Sequence, residues 1–121
     1  MSPDEARDAA TIADLIEACA RVVAFTASLE ESGFYDSAQT RYATLYQILV
    51  LGEAVKRLST NFRDKYPTIP SRTSLEMRDR LIHSYDDIDL REVWLTSRND
   101  VPTLLRQLRE IQDNLGRKEL F

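Results

Sequence analysis

Ten consecutive residues, Met77-Arg78-Asp79-Arg80-Leu81-Ile82-His83-Ser84-Tyr85-Asp86, bring the chain's one histidine together with two arginines, a tyrosine and two carboxylates. An imidazole takes and gives protons near neutral pH. A guanidinium grips phosphate with a fork of donors and stabilises charge that builds on it. Together they suit cleavage of RNA by attack of the neighbouring 2′-hydroxyl. That reaction needs a base on the 2′-oxygen, an acid on the leaving 5′-oxygen and a cation at the phosphorane, but no metal. On a continuous helix, five residues turn through about 140°, so Arg78 and His83 flank a face, whereas Asp79 and His83 share one. Asp79 is therefore expected to orient His83. Arg80 and Arg72 are further candidates for contact with substrate. One histidine does not readily supply both acid and base; a two-fold homodimer with both His83 side chains in one cleft would. The competing reading is a structural histidine near a helix end.

Other chemistries find no support in the residues. There is no glycine-rich phosphate loop, no His-Glu-x-x-His zinc motif and no nucleophile elbow. With one His and one Cys, a transition-metal site would rest mainly on carboxylates, so no metal and no cofactor is expected. Cys19 falls on an apolar stripe and reads as a small core residue. Glu53, between Gly52 and Ala54 in the most apolar stretch, either points to solvent or is a buried carboxylate that pairs with an arginine of the motif helix.

These side chains need a helical scaffold. Ser2-Pro3 is a helix start, with Ser as N-cap and Pro at the first position. Ile12, Leu15, Ile16, Cys19, Val22 and Val23 then form one stripe, with Gly33 expected to end the helix. A second helix is predicted from Asp36, with Gln39 completing a capping box. It runs through Tyr42, Leu45, Tyr46, Ile48, Leu51 and Val55 to Leu58, apolar on more than one face, which predicts a buried central helix. Pro67 and Pro70 interrupt the chain, and a third helix covers about residues 71–84. Asp89 and Glu92 form a capping box with an Ile88–Val93 staple, so a fourth helix starts there. Asn99-Asp100-Val101-Pro102 kinks or breaks it. A last helix carries Leu104, Leu105, Leu108, Ile111 and Leu115 up to Gly116. No segment alternates with period two, which predicts an all-α bundle of four to five helices in an up-down arrangement.

The composition agrees. The chain has 121 residues, 43% hydrophobic and 30% charged, with three Gly and four Pro, as expected for one globular domain over residues 1–121. The longest apolar run, Ile48-Leu49-Val50-Leu51, falls far short of a membrane span, and residues 1–5 do not resemble a secretory signal. A cytoplasmic protein without membrane contact is expected. The net charge of −4 is unevenly spread. Residues 1–35 carry seven acids and two bases, while residues 56–80 carry seven bases and three acids.

Arg78-x4-His83-x-Tyr85 resembles the Arg-x4-His-x-Tyr signature of the HepT toxins, ribonucleases of the HEPN superfamily. The likeness extends to Asp14-Leu15-Ile16-Glu17-Ala18, to Gly52-Glu53-Ala54-Val55-Lys56-Arg57-Leu58, to Tyr66-Pro67-x-Ile69-Pro70 and to Asp89-x4-Trp94. It covers about residues 12–112. The chain departs from the pattern at Ser71, where the family often has Trp, and at Asp79, where the wider superfamily often has Asn. The resemblance implies a HEPN-like helical homodimer that joins two Arg-x4-His motifs and cleaves RNA, tRNA or mRNA, without a metal. It also implies a toxin–antitoxin pair in which an MntA-type nucleotidyltransferase adenylylates Tyr85. By that likeness Arg78 would stabilise the phosphorane and His83 would act as acid or base. Exposure of Tyr85 beside Asp86-Asp87 is expected, in contrast to Tyr42 and Tyr46 on the buried second helix. A catalytically silent helical adaptor that binds a nucleotidyltransferase is the alternative.

Overall fold

The computed structural model describes residues 2–120, with side chains through Arg117. Seven α-helices lie among the described residues: α1 (Pro3–Thr26), α2 (Glu31–Asp36), α3 (Ala38–Arg57), α4 (Thr60–Lys65), α5 (Ser71–His83), α6 (Leu90–Leu95) and α7 (Val101–Leu120). A 3₁₀ turn, Tyr85–Asp87, follows α5, and a π-turn, Thr96–Asp100, joins α6 to α7. The fold is all-α, and none of the described helices is long and apolar enough to cross a membrane.

Local signals set several boundaries. Ser2 Oγ accepts from the Glu5 N–H at 3.1 Å and Pro3 opens α1. Asp89 accepts from the N–H groups of Arg91 and Glu92 and so caps α6. Glu92 does not complete the box, because its carboxylate turns to Arg80 instead. Pro102 lacks the N–H that an unbroken α-helix needs; the π-turn absorbs this, with the Val101 N–H reaching the Thr96 carbonyl. The expected break at Asn99–Pro102 is thus a widened turn in a continuing helix.

Other boundaries differ from the sequence reading. α1 stops at Thr26 and not at Gly33, which lies within α2. Its last carbonyls, left without partners inside the helix, are met from a distance, where Arg98 donates to Thr26 at 3.0 Å and Ala27 at 3.2 Å. α3 is capped by Ser37, whose Oγ accepts from the Thr40 N–H, so Asp36 and Gln39 form no box and Asp36 closes α2. α7 passes straight through Gly116 to Leu120. The described residues contain no glycine with positive φ, so none acts as a left-handed stop.

α3 packs between α1 and α5, and α1 also packs against α7. The pairings run in opposite directions. Asp8, early in α1, accepts from the N–H and hydroxyl of Ser59 at the end of α3, at 2.9 and 2.7 Å. Arg98, just before α7, meets the end of α1. Leu81, late in α5, shares a recess with Leu45 and Leu49 early in α3. The result is the up-down order, with a core built on Ile12, Leu15, Val22, Val55 and Leu108. Cys19 is fully buried in it, and burial pushes its thiol up to about 12, which leaves it an unreactive packing group.

Candidate active site

The motif helix is held by one face. Met77 and Leu81, one turn apart, are the buried residues of α5. The opposite side of this short helix therefore stays at the surface, where Asp79 and His83 are exposed, with Arg80 exposed at its margin. His83 is the last residue of α5; the chain leaves the helix through Ser84, whose N–H bonds to the Arg80 carbonyl at 2.8 Å. Tyr85 follows in the 3₁₀ turn and is half exposed.

Arg78 occupies the border between these faces, with its side chain 19% exposed. It reaches this position because α5 approaches α3 at a glycine. A Cβ on Gly52 would fall 2.3 Å from the Arg78 Cβ and 3.0 Å from the Ser74 carbonyl oxygen. The neighbouring Glu53 then receives the Arg78 Nε–H at 2.6 Å. The expected pairing of Glu53 with the motif helix is realised, but its side chain is 41% exposed and the carboxylate is not buried. Arg78 Nη1 also donates to Asp79 Oδ1 at 2.7 Å. Donation to Asp79 and then to Glu53 holds the guanidinium charged more firmly than in a free arginine, against partial desolvation.

The remaining candidates are placed less simply. Asp79 pairs with Arg78, and no hydrogen bond joins it to His83, so the expected orienting contact is absent. The neighbour in sequence lies within easy reach of a long arginine, and that ion pair prevails over the one-turn spacing. Arg80 closes as a fork on Glu92 at 2.8 and 3.0 Å, tying α5 to α6 instead of standing free for substrate. Arg72 is 92% exposed and pairs with Glu76 one turn on. Tyr42 and Tyr46 are exposed, contrary to the expectation that α3 buries them. With Tyr85 they surround a recess of about 200 Å³ floored by Leu45, Leu49 and Leu81. α3 is buried against α1 on one side and α5 on another, and these two tyrosines are not among its buried residues. Periodicity alone did not separate that third face from the buried ones.

Known proteins resemble this chain across the same residues. A family model described as Ribonuclease HepT-like matches residues 15–111, a span that includes Glu53, Arg78, His83 and Tyr85. A Methanocaldococcus jannaschii protein named "Putative RNase MJ1216" is 32% identical over 106 residues, 88% of either chain. "Probable ribonuclease HepT" of Thermococcus cleftensis is 34% identical over 91 residues, 75% of this chain and 83% of its own. No solved structure matches significantly. A helical scaffold, an anchored arginine followed by an exposed histidine and tyrosine, and a match over most of the sequence agree with one another: the chain belongs to the HepT-like ribonuclease family.

Proposed function

We propose that this HepT-like ribonuclease is the toxin of a toxin–antitoxin pair and cleaves RNA without a metal, through Arg78 and His83. The observation that carries the reading is the grouping on α5: an arginine held at the edge of the core, and an exposed histidine at the helix end. The 2′-oxygen attacks phosphorus as His83 takes its proton; Arg78 offsets the growing charge; the 5′-oxygen leaves with a proton from the second copy's His83. The products are a 2′,3′-cyclic phosphate and a 5′-hydroxyl. The homodimer this requires is supported by an exposed aromatic surface, since Tyr42 and Tyr46 share a recess with Tyr85, two residues beyond His83. Purified protein should cleave RNA in the presence of EDTA, and His83→Ala should lower the rate by about 10²–10⁴-fold. Wild-type rates from His83→Ala protein would overturn the assignment. The silent adaptor draws on a different observation, that Arg78, Arg80 and Arg72 are all engaged by carboxylates. Absence of cleavage by the wild-type protein would favour it.

The same reading makes Tyr85 the control point, adenylylated by an MntA-type nucleotidyltransferase. Its side chain is accessible on a short turn two residues beyond His83. An attached AMP adds bulk and a phosphodiester charge beside the place where substrate phosphate must bind, and both oppose RNA. Because Tyr42 and Tyr46 are also accessible, the choice among the three is open to direct measurement. Intact mass after incubation with the nucleotidyltransferase and ATP should rise by AMP in the wild type and not in Tyr85→Phe. Equal gains in both would exclude Tyr85.

A further inference from the structure

The two carboxylates on Arg78 differ in ways that give them different tasks. Glu53 comes from another helix, is pinned by the close approach at Gly52, and takes the Nε–H. Asp79 is the next residue on the same helix, is more exposed (58% against 41%), and takes one Nη1–H. Nη2 makes no hydrogen bond among the described residues. A guanidinium grips an oxyanion by two parallel N–H groups, along either its Nε/Nη2 edge or its Nη1/Nη2 edge. Glu53 blocks the first edge. A phosphate must therefore use the second, to which Nη1, already bonded to Asp79, contributes.

Building on the reading of Arg78 as the phosphate-binding group, we propose that Glu53 is a positioning residue that fixes Arg78 by its Nε, and that Asp79 is a displaceable stand-in for the RNA phosphate at the Nη1/Nη2 edge. Asp79 can turn out to water by rotation about its own side chain, whereas Glu53 reaches Arg78 from a second helix, beside the close approach of α3 and α5 at Gly52. Bound RNA thus meets one retained carboxylate, which aims the guanidinium, and expels the other, whose charge would repel it. Asp79 accordingly opposes binding, and Glu53 serves the chemical step.

Steady-state cleavage by wild type, Arg78→Ala, Glu53→Ala, Glu53→Gln and Asp79→Asn tests this, alongside the NMR signal of the Arg78 Nε–H. Glu53→Ala should lower kcat by roughly 10–100-fold, as misplacement of a catalytic group does, with a smaller effect on KM. Glu53→Gln keeps an acceptor for Nε–H and should recover most of the loss. Asp79→Asn should lower KM for RNA severalfold. The Nε–H signal should stay protected from exchange in Asp79→Asn and lose protection in Glu53→Ala. Unchanged kcat in Glu53→Ala, no rescue by the isosteric Gln, or a raised KM in Asp79→Asn would overturn the inference. If Arg78→Ala abolishes cleavage while the Glu53 variants match wild type, this inference alone fails. If the wild type cleaves no RNA, the reading of the site fails and takes the inference with it.

Discussion

Among the arginines that clasp helices in this molecule, Arg98 and Arg78 differ in their partners, and the difference separates a structural role from the chemical role proposed for Arg78. Arg98, in the π-turn, donates to the carbonyls of Thr26 and Ala27 and lies 5.4 Å from the Trp94 ring centroid. Trp94 in turn packs on the fully buried Phe34, so one corner ties α1, α2 and α6 together. Arg78 instead faces two carboxylates on a segment that ends in exposed side chains. Neutral carbonyls at a helix end have no substitute partner at hand, so Arg98 is committed. A carboxylate can be replaced by another oxyanion of like charge, so Arg78 is held charged and remains exchangeable. The difference lies in the acceptor rather than in the arginine.

Exchanging each arginine for alanine should divide the two roles most sharply. Arg78→Ala is expected to reduce RNA cleavage by about 10²–10³-fold, the usual loss when a donor to developing charge is removed. Arg98→Ala should leave cleavage near wild type below its melting temperature. It should lower stability by about 1–2 kcal/mol, from lost helix-end hydrogen bonds and the cation–π contact. Cleavage rates beside denaturant melts check both. Loss of cleavage in a folded Arg98→Ala protein would dissolve the contrast.

Glycines sharpen it next. A Cβ at Gly52 meets α5 at 2.3 Å, whereas one at Gly116 meets nothing within 4 Å. Gly52→Ala should force α3 and α5 apart, cost about 1–3 kcal/mol and impair cleavage through Arg78. Gly116→Ala, inside α7, should stabilise by about 0.5–1 kcal/mol, because alanine is the better helix former. Thermal melts of the two variants should therefore move in opposite directions.

The same contrast separates what could be read in the sequence from what could not. The stripe of α1, the Ser2-Pro3 start and the Asp89 cap depend on residues within one turn of one another, and these were legible. So was the cluster on α5, because its residue types are adjacent in the chain. Gly33 and Gly116 misled as stops, since a helix end is decided by whether its carbonyls find partners, and α1 finds its partner 72 residues away. Tyr42 and Tyr46 misled because an apolar position shows amphipathic character without showing which of three faces is covered. Asp79 bonds to its neighbour in place of the residue one turn on, an outcome fixed by where α3 sets Arg78.

The smallest effect concerns the third arginine clasp, Arg80 on Glu92, which resembles Arg78 in its acceptor and Arg98 in its task. The hydrogen bonds from Arg80 hold the Glu92 carboxyl below its ordinary range, against some desolvation and the nearby Asp89. A carboxylate whose folded-state pKa is depressed contributes stability that is complete above its unfolded pKa. That stability disappears as pH falls through the folded value. Arg80 stays charged throughout, so the change comes from Glu92 alone. Both side chains are substantially exposed, 50% for Arg80 and 42% for Glu92, and solvent screening keeps the contribution under about 1 kcal/mol. Glu92→Gln should therefore be slightly less stable than wild type at neutral pH, and the gap should close in acid beneath the carboxylate range. Urea melts of both proteins across that interval measure it. A gap that persists in acid would mean that Glu92 acts through packing between α5 and α6 and not through its charge.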